Sequence, residues 1–274
     1  MDKTKSLTSE IPRHLSLKAG WTTLKLRARF QACALHFFVC LLLALCITLP
    51  LVFWLYPAPF FRAAGGLHLI GFILTIDIVI GPVLTFLVFD RAKKSLKKDL
   101  ALIGFLQISA LLYGLYATAL SRPVFMTYVV DRYEMVSAAD VDPEEFLKAP
   151  SDLKMPPWGH PEIAYAQRPD DADARSLIMF SAVNGVDINR MFRYYKPAKL
   201  AVPEILKRAK PIADLKQFNQ SESVNNYLSV YSTRNISYVP VQGKKQDLVA
   251  LVDSKTGDLI EVVDLRPWPD TKSQ

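Results

Sequence analysis

The stretch "TIDIVIGPVLTF", residues 75–86, places one carboxylate, Asp77, inside a mainly apolar run that extends from residue 67 to residue 89. An ionised carboxylate near the middle of a bilayer costs on the order of 2.5–3.5 kcal/mol on insertion scales. Asp77 is therefore expected to face protein, to be protonated, or to meet a polar partner. Whether this cost applies depends on whether the run crosses a membrane.

The apolar residues of this chain are concentrated near its amino terminus. The chain has 274 residues, of which 51% are hydrophobic. Three long apolar runs cover residues 32–55, 67–89 and 100–120. A helix of about 20 residues crosses the roughly 30 Å hydrocarbon core of a bilayer. The sequence therefore predicts a transmembrane region at 32–121 that contains three spanning helices.

Lysine and arginine predict the orientation of these helices. Seven basic residues precede residue 32 and five lie between residues 90 and 99, whereas the loop after the first run has only Arg62. The positive-inside rule then makes residues 1–31 a cytoplasmic basic tail, and three crossings carry residues 122–274 to the other side. Trp54 and Tyr56 are expected to lie at the headgroup region there.

The net charge of +7 comes from the flanks of the predicted membrane helices. Residues 122–274 contain 20 basic and 21 acidic residues, which gives a net charge of −1. A nucleic-acid partner is therefore not expected. The basic flanks instead predict contact with the lipid bilayer.

Residues 122–274 predict an α+β domain. Strands are expected at 124–130 and 133–136, and Asp142 is expected to cap a short helix that begins at Pro143. The proline-rich segment 148–169 predicts an irregular loop. A terminal hairpin is expected to turn at Gly257, between "DLVALVD" and "DLIEVVDL". Further helices are expected at 171–183, 203–208 and 221–231.

Motifs for catalysis or for a cofactor are absent from the sequence. It contains no GxSxG, Walker or GxGxxG pattern, and its four histidines have no metal-ligand spacing. All three cysteines, Cys33, Cys40 and Cys46, lie in the first apolar run, so the C-terminal region has no disulfide. The sequence predicts neither an enzyme nor a metal or cofactor site.

Two interpretations of Asp77 remain open. In the first it forms a polar lock with Gln107 or Tyr113 of the third run and holds the helices together. In the second it has a transport or catalytic role. Gln107, Ala110 and Gly114 give the third helix a small, polar face, which suits either packing within this chain or a groove for a foreign transmembrane helix. Gly81-Pro82 predicts a local break beside Asp77.

Several short motifs, in one order along the chain, resemble those of the type IV pilin accessory proteins, the TfpX/TfpZ or FimB-like group. The resemblance extends from the first predicted helix to Trp268. The motifs are "LYPAPFF" (55–61), "GG" (65–66), "DIVIGPVLTFLVFD" (77–90), "QISALLYGL" (107–115), "SRPVF" (121–125) and "ALVDSKTGDLIEVVDLRPW" (250–268).

The resemblance implies a non-catalytic protein of the bacterial inner membrane, with a periplasmic C-terminal domain, that helps a cognate type IV major pilin become stable or assemble into pili. The protein would contact both the membrane helix and the periplasmic head of the pilin. The candidate partner-binding residues are Asp77, Gly81, Pro82, Gln107, Tyr113 and Gly114.

One alternative belongs to a different class of protein. A membrane sensor or transport-associated subunit would bind a small ligand through its C-terminal domain and use Asp77 as a proton site. An intramembrane aspartyl hydrolase is not expected, because it needs two carboxylates in one site and the three runs contain one.

Overall fold

The structure, a computed structural model, describes residues 13–155 and 158–269. Chain contacts divide it into two compact units. The helical unit contains the described residues up to Ile47 together with Gly71–Gly114, and the sheet unit contains Thr48–Ile70 together with the described residues from Leu115 onward.

Three helical segments are long and apolar enough to cross a membrane, as predicted. They are Lys25–Leu51, Gly66–Val88 and Leu96–Ser121, with mean hydropathies of 2.6, 2.3 and 1.8. The first lies inside helix α1, Arg13–Leu55, which begins well before the predicted span. Residues 1–12 of the predicted basic tail lie outside the described residues.

The second candidate span is built from three pieces. Helix α3, Gly66–Leu74, passes into a π-helical turn at Thr75–Ile80 and then into α4, Gly81–Val88. Pro82 cannot donate a backbone hydrogen bond, and its ring crowds the carbonyl four residues before it. A π-helical turn is one of the recognised ways in which a helix accommodates such a disturbance. The structure therefore has the predicted local break, and Asp77 lies within it.

The third candidate span is helix α5, Leu96–Ser121, and a short helix α2, Phe60–Ala63, lies between the first two spans. Gly65 follows α2 with a φ of 85°, a conformation that glycine adopts at little cost. A tight turn at Gly65 therefore connects α2 to the second candidate span.

An eight-stranded mixed sheet forms the centre of the sheet unit. Seven strands follow the order β4-β3-β1-β2-β6-β7-β8, and β5 pairs with β6. β1 pairs with β3, and β2 with β6, in parallel, while the other pairs are antiparallel. The strands are β1 Pro123–Val129, β2 Arg132–Ser137, β3 Glu162–Ala166, β4 Tyr195–Pro197, β5 Lys210–Pro211, β6 Ile236–Gln242, β7 Leu248–Asp253 and β8 Leu259–Val263.

Short helices complete the sheet unit. Asp142 caps α6 through a hydrogen bond from the Glu144 backbone N–H, as predicted. The other α-helices also match the predicted positions, and several 3₁₀ turns connect them. The α-helices are α6 Pro143–Phe146, α7 Ala172–Val183, α8 Val202–Arg208 and α9 Ser221–Val230, and the 3₁₀ turns are Ala138–Asp140, Ile188–Arg190, Phe192–Tyr194, Ala198–Ala201 and Ile212–Gln217.

The terminal hairpin agrees with the prediction, and Gly257 has a φ of 72°. The irregular loop predicted at 148–169 is wrong in part, because strand β3 lies inside it and pairs with β1. Strand β6 was not predicted, and it contains Pro240, although proline is rare in central strands. On one edge, β6 pairs with β5 up to Tyr238 and with β2 from Val241 onward, so Pro240 lies where the neighbouring strand changes.

The segment that connects the first two spans is part of the core of the sheet unit. Tyr56 and Phe60 are 2% and 5% exposed, and Ala63 is fully buried among residues of the central strands. The Tyr56 hydroxyl lies 2.6 Å from the carbonyl oxygen of Thr118 and 2.5 Å from the hydroxyl oxygen of Ser121. The Lys245 backbone N–H donates to the Ala63 carbonyl at 2.9 Å.

Tyr56, which was expected at the headgroup region, has its ring buried in the protein. Its ring lies in the protein core because the hydroxyl finds hydrogen-bond partners there. Trp54, in contrast, is 69% exposed and stacks on Trp158.

Replacing Phe60 with alanine tests the structural role of this connecting segment. The loss of a buried ring should cost about 3–5 kcal/mol and lower the apparent Tm of the full chain by about 10 °C. Thermal unfolding in detergent measures this. The control is Phe180→Ala, because Phe180 is 66% exposed on α7 and its loss should change the Tm by at most about 2 °C. Equal shifts for the two variants would contradict the assignment.

Candidate partner-binding site in the membrane helices

A polar network joins the three candidate spans of the helical unit. His36 of α1 lies with its Nδ1 2.5 Å from the Thr85 hydroxyl oxygen of α4 and with its Nε2 2.9 Å from Oε1 of Gln107 on α5. An amide oxygen only accepts, so Nε2 donates to Gln107. In the neutral tautomer that carries this proton, Nδ1 accepts from the Thr85 hydroxyl. One imidazole therefore links α1, α4 and α5.

Gln107 extends the network to the π-helical turn. Its Nε2 donates to the backbone carbonyl of Asp77 at 3.2 Å and lies 3.5 Å from Sγ of Cys40. Backbone carbonyls in a π-helical turn are displaced from regular α-helical bonding, so a side-chain donor stabilises the turn. Gln107 therefore contacts Asp77, but it binds the backbone carbonyl, whereas the predicted lock uses the carboxyl group.

The Asp77 carboxyl lies apart from these hydrogen bonds. Asp77 is 8% exposed, and its Oδ1 accepts no hydrogen bond from the described residues. A buried polar atom without a partner is costly, and more so in hydrocarbon, where water cannot replace the missing bond. Such an atom is a candidate contact point for something outside the chain.

A groove of about 210 Å³ lies between α1 and α5, and Asp77 lines it. We call it the α1–α5 groove. From α1 the lining residues are His36, Val39, Cys40, Leu43 and Ala44. From α5 they are Gly104, Gln107, Ile108 and Leu111.

Two of the predicted partner-binding glycines pack inside the helical unit. A Cβ on Gly81 would lie 2.1 Å from Nε2 of Gln107, and one on Gly114 would lie 2.3 Å from Cγ1 of Ile73. Pro82 is also buried. The two glycines let the helices approach each other, and the role of all three residues toward a partner stays a prediction.

Tyr113 lies away from the network. It is 69% exposed, and Asp77 accepts no hydrogen bond from it. The predicted hydrogen bond between Asp77 and Tyr113 is therefore not formed.

His36 is the site residue that the sequence analysis missed. It was grouped with three scattered histidines because none of them has metal-ligand spacing. The available signal was its position inside an apolar span, where an ionisable side chain marks a functional or structural site by default. Cys40, four residues later, lies on the same side of α1 and lines the same groove.

The sheet unit presents an apolar surface of its own. On α7, Leu177, Phe180 and Val183 are 52%, 66% and 84% exposed, at spacings of three residues. Exposed apolar patches of this kind mark sites of protein interaction. Within residues 13–155 and 158–269, no group of three or more His, Cys, Asp or Glu side chains could hold a metal ion.

The protein has three candidate spans that a polar network joins, and an α+β domain with a mixed sheet follows them in the chain. These features define a membrane-anchored protein. Comparison with curated proteins then gives its family. The chain is 28% identical to the fimbrial assembly protein of serogroup I of Dichelobacter nodosus over 239 residues, which are 80% of this chain and 92% of the relative. The serogroup E1 protein gives the same identity and coverage.

A third relative is more similar over a shorter stretch. The fimbrial assembly protein of serogroups C1 and C2 of Dichelobacter nodosus is 34% identical over 118 residues, which are 42% of this chain and 89% of that relative. The chain belongs to this family of fimbrial assembly proteins, in agreement with the resemblance to type IV pilin accessory proteins. No protein-family model and no solved structure matches the chain.

Replacing Gln107 with leucine tests the polar network. Loss of its hydrogen bonds to His36 and Asp77 should destabilise the helical unit by about 1–2 kcal/mol, seen as a lower Tm of the full chain in detergent. Ser109→Ala is the matched control on α5, because the Ser109 hydroxyl donates to Phe105 of its own helix. An unchanged Tm for the Gln107 variant would show that the network contributes nothing.

Proposed function

We propose that this protein is an inner-membrane factor that binds a cognate type IV major pilin and promotes its stability or its assembly into pili. The observation that carries the proposal is membership of the fimbrial assembly family, over four-fifths of this chain for two of the relatives. Binding alone accounts for this role, and we propose no catalytic step.

The proposed orientation has the amino terminus in the cytoplasm and the sheet unit in the periplasm. Its support is the distribution of basic residues, with seven before residue 32 and five between residues 90 and 99. The segment between the first two spans has only Arg62. A pilin held in the inner membrane by one amino-terminal helix, with a periplasmic head, would then meet this protein both in the membrane and outside it.

Each part of such a pilin has a counterpart among the described residues. The buried and unpartnered carboxyl atom of Asp77 supports a contact in the membrane. The exposed apolar residues of α7 support a contact with the pilin head. Recognition of both parts would make the protein selective for its own pilin.

Affinity capture from membranes tests pilin binding. The tagged full chain is co-expressed with the cognate major pilin and purified in mild detergent, and the pilin is expected to co-purify. An unrelated protein with three spans and the same tag is the control. Absence of the pilin from the eluate, or equal amounts with the control, would overturn the proposed function.

Cysteine labelling tests the orientation. Cys33, Cys40 and Cys46 are first replaced with alanine, and a single cysteine is then placed at exposed Ser232 or at exposed Ala92. A membrane-impermeant maleimide added to spheroplasts should label Ser232→Cys at least about tenfold more than Ala92→Cys, because only the former would lie outside. Labelling of Ala92→Cys alone would reverse the proposed topology.

A further inference from the structure

We propose that the α1–α5 groove binds the single membrane helix of the pilin, and that this helix donates a hydrogen bond to the Asp77 carboxyl. This inference rests on the proposed function for the identity of the partner. It adds the place of contact in the membrane and the chemistry that the partner must bring.

The residues that line the groove are spaced so that a helix can pack against them. Its α1 residues recur at offsets of three, four, seven and eight from His36, and its α5 residues at offsets of three, four and seven from Gly104. These spacings describe two helix faces, each about two turns long, so the groove is a valley roughly 11 Å in length. A valley between two helices accepts a third helix by ordinary packing of ridges into grooves.

The residues along the groove permit close approach. A Cβ added to Gly104 would meet no atom within 4 Å, so the backbone of α5 is accessible there. Cys40 and Ala44 on the α1 side are also small. Small residues at an interface allow membrane helices to come close enough for backbone contact and for interhelical hydrogen bonds.

Asp77 distinguishes a protein helix from a lipid chain as the occupant. An acyl chain would fill the apolar part of the groove, but it has no hydrogen-bond donor for Oδ1. His36 and Gln107 do not fill this role, because their hydrogen bonds go to each other, to Thr85 and to the Asp77 backbone. The occupant must therefore carry a hydrogen-bond donor, such as a hydroxyl, an amide, an amine or an aromatic N–H group.

Photocrosslinking in membranes tests the place of contact. A benzophenone amino acid replaces Ile108, which lines the groove and is 60% exposed, or Leu106, which is outside the lining and 54% exposed. The two positions lie about 200° apart around α5. With co-expressed pilin, the label at position 108 should crosslink to the pilin and the label at position 106 should not.

Two substitutions test the shape and the chemistry of the groove. Gly104→Leu fills the groove and should reduce pilin capture by about tenfold, whereas Gly71→Leu, also in open space but outside the groove, should leave capture unchanged. Asp77→Leu should also reduce capture by about tenfold, and Asp77→Asn should reduce it less, because an amide oxygen still accepts. Neither Asp77 variant should lower the Tm, because Oδ1 accepts no hydrogen bond from the described part of the chain.

The outcomes separate this inference from the proposed function. If the full chain captures the pilin but position 108 crosslinks to lipid or to a second copy of this chain, the groove is not the pilin site. The same conclusion follows if Gly104→Leu captures as well as Gly71→Leu. If the unaltered chain captures no pilin, the proposed function fails, and this inference fails with it.

Discussion

Hydrocarbon offers no hydrogen bonds, and this constraint governs the helical unit. A polar group in a membrane helix must find a partner within the protein, or it remains costly. Pro82 disturbs the second span, and the π-helical turn before it creates backbone groups that need partners. Gln107 supplies one donor, and His36 and Thr85 hold Gln107 in position. The break in the helix and the network are therefore two parts of one arrangement.

Within that arrangement the Asp77 carboxyl is the exception. Every other polar side chain in the network described above has a partner, whereas Oδ1 of Asp77 has none among the described residues. Proteins keep such costs at sites where something else compensates for them. The compensation that we propose for Asp77 is a hydrogen bond from the membrane helix of the pilin.

The sequence predicted the three candidate spans and most of the C-terminal elements because each depends on local pattern. Apolar run length predicts a span, Asp142 before Pro143 predicts a helix start, and Gly257 predicts a turn. Strands β3 and β6 depend instead on distant partners. Their local sequences contain prolines or lie among them, and only pairing with β1, β2 and β7 makes them strands. The position of His36 in an apolar span marks it as a candidate, but its partners Thr85 and Gln107 are 49 and 71 residues away along the chain, so the network itself cannot be predicted from local pattern.

The burial of Tyr56, Phe60 and Ala63 in the sheet unit has a consequence for biosynthesis. Strands β6 and β7, against which this segment packs, are translated about 180 residues later. The segment therefore leaves the ribosome and reaches its side of the membrane before these strands are made. Its apolar side chains stay exposed until the rest of the sheet has been synthesised and has folded. A nascent chain released early would keep that surface open to proteases and chaperones.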